Sequence, residues 1–240
     1  MNIESLITLG YYVSSIAFLL ATIISAGAAR TFGKSALGSI FSYLCIGTGI
    51  FFIITVFQTL GSDFFGISHE SVDIWWHLMF YLALFSYFFG FKALVGLASG
   101  NVEGGFIGKE KQWGLLALIL LVTIFVIPSS AEGAVQAYLA SPLAQLGLHH
   151  FLAFIVAGVV GSYLLSVKKD IGQIGIAVAS PFILAVWSFS LQHLWELVTE
   201  SWGVITLTGE QIEGVERIFL TISALCIIYA VIRLKAFAKK

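Results

Sequence analysis

Five histidines, His69, His77, His149, His150 and His193, carry the side chains of this sequence best suited to chemistry, and carboxylates recur beside them at helical spacing. The run SHESVDIWWH at 68–77 sets His69, Asp73 and His77 at i, i+4 and i+8, which is one face of a helix. The run LQHLWELVTE at 191–200 sets His193, Glu196 and Glu200 at i, i+3 and i+7, a single stripe. His149 and His150 are neighbours, about 100° apart on a helix, so one ring is expected to face the interior. That ring is His150, on the side leading to Phe154, Gly158 and Gly161, while His149 is expected at the headgroup boundary. Neutral imidazole ligates transition metals and haem iron, and a nearby carboxylate either completes the coordination or orients the ring. The candidate cofactor ligands are therefore His77, His150 and His193. A metal ion would add His69, Asp73 and Glu196.

The elements that must position these groups are membrane helices. Of the 240 residues, 59% are hydrophobic and 10% charged, far from the roughly one quarter charged of a soluble domain. Seven apolar stretches approach the about 20 residues needed to cross a bilayer. They fall near 6–29, 36–60, 73–97, 112–128, 146–167, 171–196 and 214–234. None alternates with the two-residue period of a barrel strand, so the fold class is an all-α integral membrane protein, a bundle of about seven transmembrane helices forming one domain over 1–240. The fourth stretch is the shortest and stops at Pro128, with 131–139 expected as an interfacial helix. Pro181 is expected to kink the sixth span about three turns before His193. The first span lacks a basic leader and a cleavage pattern and is expected to remain as an anchor. Cys45 and Cys226 lie mid-span and read as packing residues.

Charge orders these spans. Eleven of the twelve basic residues follow odd-numbered spans, and Arg217 alone falls opposite. The positive-inside rule then predicts an outside N-terminus and a cytoplasmic C-terminus, in a plasma or cytoplasmic membrane. Ten of the thirteen acids and all five histidines share the outer side. Ionisable groups are costly near hydrocarbon, so their collection at one level points to a site. Glu210, Glu213 and Glu216 read as a solvated approach to the last span, with Arg217 pairing locally.

A seven-helix chain with an outside N-terminus resembles the microbial rhodopsins in architecture. The chemistry departs from that family, because the last span, 218–234, has no mid-membrane lysine for a retinal Schiff base. The paired mid-helix histidines of a dihaem cytochrome b are also missing, as is the C-x-x-C-H motif of covalent haem. The expected function is a membrane subunit binding haem b, or alternatively copper, zinc or iron, near the extracytoplasmic face. Its work would be electron transfer or metal-dependent redox chemistry, as a possible subunit of a membrane oxidoreductase. Partners would be the lipid bilayer and other membrane or redox subunits; the net charge of -1 gives no sign of nucleic-acid binding. The alternative is a proton-linked transporter, channel or pH-responsive sensor, in which the same residues titrate. Against a relay, the span centres offer mainly hydroxyl and amide groups such as Ser14, Thr55, Gln58 and Ser188.

Overall fold

A computed structural model describes residues 3–65, 69–98, 132–171 and 175–238. The described residues form helices without a strand: α1 (Ile3–Phe32), α2 (Ala36–Phe65), α3 (His69–Ala98), α4 (Glu132–Leu139), α5 (Pro142–Gln145), α6 (Leu148–Val167), α7 (Ser180–Glu196) and α8 (Gly209–Phe237). A 3-10 turn, Lys168–Ile171, follows α6, and π turns, Gly175–Ala179 and Leu197–Ser201, flank α7. Among the described residues, six segments are long and apolar enough to cross a membrane: α1, α2, α3, α6, α8, and α7 together with its π turns. The predicted span at 112–128 lies outside the described residues.

The distribution of side chains is that of a bundle in lipid. Large apolar groups such as Ile16, Ile23, Phe85, Val159, Leu184 and Leu225 are exposed, whereas Ser14, Thr48, Ser188, Ser190 and Ser223 are buried. Where lipid replaces water, apolar burial no longer drives association, and packing with interhelical hydrogen bonds takes over. Hydroxyls accordingly tie neighbours together: Ser86 donates to the Tyr43 carbonyl at 2.7 Å, Ser190 to Phe154 at 3.1 Å and Ser223 to Ala185 at 3.0 Å. Each such bond is worth about 1 kcal/mol.

The helices close into a ring, α1 against α2, α2 against α3, α3 against α6, α6 against α7, α7 against α8 and α8 back on α1. Aromatic packing fills the middle. Phe51 of α2 stacks between Phe18 of α1 at 4.9 Å and Phe189 of α7 at 4.7 Å, and Phe80 of α3 meets Phe189 edge-on at 5.4 Å. Gly47 admits the Tyr87 ring against the α2 backbone, where any Cβ would collide with it.

Two boundaries differ from the sequence expectation in ways that matter for the site. The sixth predicted span continues past Glu196 through the π turn Leu197–Ser201, so Glu200 remains on a helical backbone but off the α-helical stripe. Pro181 stands where the preceding π turn gives way to α-helix, a local irregularity of the kind that accommodates a ring without an N–H. The helix expected at 131–139 is present as α4.

Candidate metal centre

Three helix ends meet at one end of the bundle. His77 lies two turns into α3, His149 and His150 open α6, and His193 and Glu196 close α7. Gly147 sets the entry to α6 with φ 72° and ψ 34°, a left-handed conformation that glycine adopts without the usual Cβ penalty. It lies against Ser201 and Leu197 of the π turn, which locks the start of α6 to the end of α7.

Glu196 is the hub, and it is only 6% exposed. Its Oε2 receives His193 Nδ1 at 2.6 Å and His150 Nδ1 at 3.0 Å, and lies 4.0 Å from His77 Nε2. Its Oε1 accepts from Gln192 Nε2 at 2.9 Å. One ligand atom from each of His77, His150, His193 and Glu196 lies within 4.8 Å of the others, and all four side chains are buried. This His3Glu set is able to hold a metal ion. Tetrahedral zinc, with bonds of about 2.0–2.2 Å, needs ligand atoms a little over 3 Å apart, so small shifts of the rings suffice.

The orientation of His77 is fixed from behind. Its Nδ1 donates to the Asp73 carbonyl oxygen at 2.9 Å, one turn earlier on α3, and also lies 3.5 Å from Asp73 Oδ1. With the proton on Nδ1, Nε2 presents a lone pair toward the cluster, and it has no hydrogen-bond partner. Trp76 and Phe80 pack edge-on against His193 at 5.1 and 4.7 Å, which walls the cluster off from the aromatic core.

His149, expected at the headgroup boundary, packs against protein on two sides. Its Nε2 lies 3.4 Å from Asp73 Oδ2, Tyr138 Oη meets its Nδ1 at 3.1 Å, and its ring centroid is 4.0 Å from that of His150. Both adjacent rings can face protein because α6 begins in a corner: His150 turns to α7 while His149 turns to α3 and α4. Burial pushes the Tyr138 phenol up from its ordinary range, so it stays a neutral hydroxyl. Of His69 only the helical backbone is described, as the first residue of α3, and its expected ligand role lies outside the described side chains.

The sequence reading missed Gln192, Tyr138 and the extent of the neighbouring network. Arg217, 4% exposed, stacks its guanidinium 3.7 Å over the Tyr11 ring. It approaches Glu213 at 3.7 Å and Glu216 at 3.9 Å and donates to Gln58 at 3.4 Å, while Tyr11 donates to Glu213 at 3.0 Å. The local pairing expected from spacing is therefore part of a buried network joining α1, α2 and α8. The signal available in the sequence was the lone basic residue among acids. A cavity of about 480 Å³ separates this network from the histidines, with Glu196, His149 and His150 on one wall and Gln58, Glu216 and Arg217 on the other.

Comparison with known protein families, curated proteins and solved structures finds no match to this chain.

Proposed function

We propose that this chain is an integral membrane metalloprotein that holds one transition-metal ion on His77, His150, His193 and Glu196, at the extracytoplasmic end of the bundle. One observation carries the reading. His77 Nε2, made an acceptor by the bond its Nδ1 donates to Asp73, faces the Glu196 carboxylate at 4.0 Å in a buried setting. Two acceptors so placed repel unless a cation lies between them. The nitrogen-rich ligand set suits zinc, copper or iron, and excludes magnesium and calcium, which take oxygen ligands.

The same geometry favours an ion over haem b. The ring centroid of His77 lies only 4.8 and 4.9 Å from those of His150 and His193, and the remaining pair, 6.4 Å apart, is tied together by Glu196 Oε2 at both Nδ1 atoms, a compact arrangement that suits an ion. A copper or iron ion would support electron transfer with partner subunits, whereas zinc, which has no redox chemistry, would serve a Lewis-acid role toward a ligand in the cavity. The placement at the outer face is supported by Arg30, Lys92, Lys168 and Arg233, which lie at the opposite ends of α1, α3, α6 and α8.

Metal analysis of protein purified without chelator tests the proposal. Wild type is expected to carry a transition metal that His193→Ala and His77→Ala lose while keeping their helical circular dichroism. Folded wild type that takes up no zinc, copper or iron when supplied with them would overturn it. A pH-dependent ion flux in that metal-free protein would then favour the titrating-group alternative.

A further inference from the structure

We propose a second metal site beside the first, formed by Asp73, His149 and His150, so that the cavity holds a two-ion centre with His150 as the shared ligand. One ligand atom from each of these three residues lies within 4.8 Å of the others. The set has the support usual for metal ligands. Tyr138 Oη holds His149 Nδ1 at 3.1 Å, which leaves Nε2 facing Asp73 Oδ2 at 3.4 Å. Tyr81 donates to the His149 carbonyl oxygen at 3.1 Å, fixing the backbone beneath that ring.

Asp73 joins the two sites. Its carbonyl oxygen and Oδ1 lie against Nδ1 of His77, a ligand of the first ion, while Oδ2 faces His149, a ligand of the second. His150 has a nitrogen for each: Nδ1 faces Glu196 Oε2 at 3.0 Å, and Nε2 faces Glu200 Oε2 at 3.7 Å. Neutral imidazole carries one N–H, so coordination through both nitrogens releases that proton and leaves a bridging imidazolate. Glu200, half-exposed and beside His150 Nε2, is a further carboxylate within reach of the outer ion.

Charge gives an independent reason. The cavity is lined by five carboxylates, Asp73, Glu196, Glu200, Glu213 and Glu216, against the single guanidinium of Arg217. With these carboxylates ionised, one divalent cation leaves the wall well short of neutrality, and a second brings it within about one charge once the bridging imidazolate is counted. Glu196 and Glu216 are buried, where a like charge needs a cation beside it, while Asp73, Glu200 and Glu213 reach the open side of the cavity.

The inference rests on the first site being a metal site, and Zn2+ titration of the full-length chain in nanodiscs, read by calorimetry and metal analysis, separates the two. Wild type is expected to bind two Zn2+ per chain, with His149→Ala binding one. Tyr138→Phe keeps every ligand but loosens one, and is expected to bind two with the weaker step a further 10- to 100-fold weaker, the usual effect of losing an orienting partner. Wild type that saturates at one Zn2+, lost in His193→Ala but kept in His149→Ala, would overturn the second site and leave the first standing. Wild type that binds none would overturn both. The wild-type stoichiometry decides the question even if a variant fails to fold.

Discussion

Replacing Gly147 by alanine should damage fold and site together, and the structure sets the scale. The backbone at Gly147 is left-handed, φ 72° and ψ 34°, which costs a residue with a Cβ roughly 1–2 kcal/mol. The added Cβ would lie 2.6 Å from Ser201 Cβ and 2.7 Å from Leu197 Cδ1, against an ordinary carbon contact of about 3.5–4.0 Å. About 1 Å of separation between α6 and the π turn must be found, and overpacking of this kind adds about 1–3 kcal/mol. The summed cost of about 2–5 kcal/mol corresponds to a fall in the thermal midpoint of roughly 4–20 °C for a chain of this size. The displacement falls between His150, three residues after Gly147, and Glu196, one residue before the π turn. Because metal bonds are about 2.0–2.2 Å long, a shift approaching 1 Å should abolish stoichiometric binding. Gly203→Ala isolates the backbone part, since Gly203 has φ 59° with nothing within 4 Å of its added Cβ. It should cost only the first 1–2 kcal/mol and leave metal binding intact. Thermal unfolding followed by tryptophan fluorescence, with metal analysis, reads both quantities. A Gly147→Ala protein as stable as Gly203→Ala, with its metal retained, would refute the idea that the α6 entry is clamped to the end of α7.

Glu196→Gln keeps the shape of the hub but not its hydrogen bonds. The amide can still accept from Gln192 only by turning its NH2 on both imidazoles, which drives their protons to Nε2, where His193 has no acceptor. We expect a loss of about 1–3 kcal/mol of stability from the orphaned donor and no stoichiometric metal, checked by the same two measurements; a fully loaded Glu196→Gln protein would contradict the assignment of the hub. The direction of the helices makes a separate prediction. Gly10, near the start of α1, lies against Arg217, near the start of α8, so both helices begin at the cluster end and α8 ends at the other. Tags at the two termini are expected to be protected from protease on opposite sides of sealed vesicles, and equal accessibility would exclude this arrangement.

What the sequence shows about the site, and what it hides, follows from what helical periodicity can encode. His193 and Glu196 are three residues apart on one stripe, so their 2.6 Å contact was readable from spacing alone. That His77 and His150 reach the same carboxylate depends on which helices are neighbours, and periodicity carries no information about that. The one-sided placement of the histidines is the sequence's substitute for adjacency, and helical phase then narrows the expected ligands to His77, His150 and His193, supported by Asp73 and Glu196, with His69 added for a metal ion. The partners of His149 are hidden from the sequence for a physical reason. A single helix in a lipid slab offers two surroundings, interior and lipid, so of two rings about 100° apart helical phase directs only one to the interior. At the corner made by α3, α4 and α7 a third surrounding exists, and it receives His149 through Asp73 and Tyr138. Tyr138 belongs to a short helix outside the spans, eleven residues before its partner, and no repeat connects them. Arg217 was hidden by the same limit: spacing supplied Glu213 at i-4, while Tyr11 and Gln58 come from α1 and α2. Apart from Gln192, whose partner Glu196 is on its own helix, the residues that spacing missed are those whose partners lie on other helices, and His149, Gln58 and Arg217 among them line the cavity where a two-ion centre would meet its ligand.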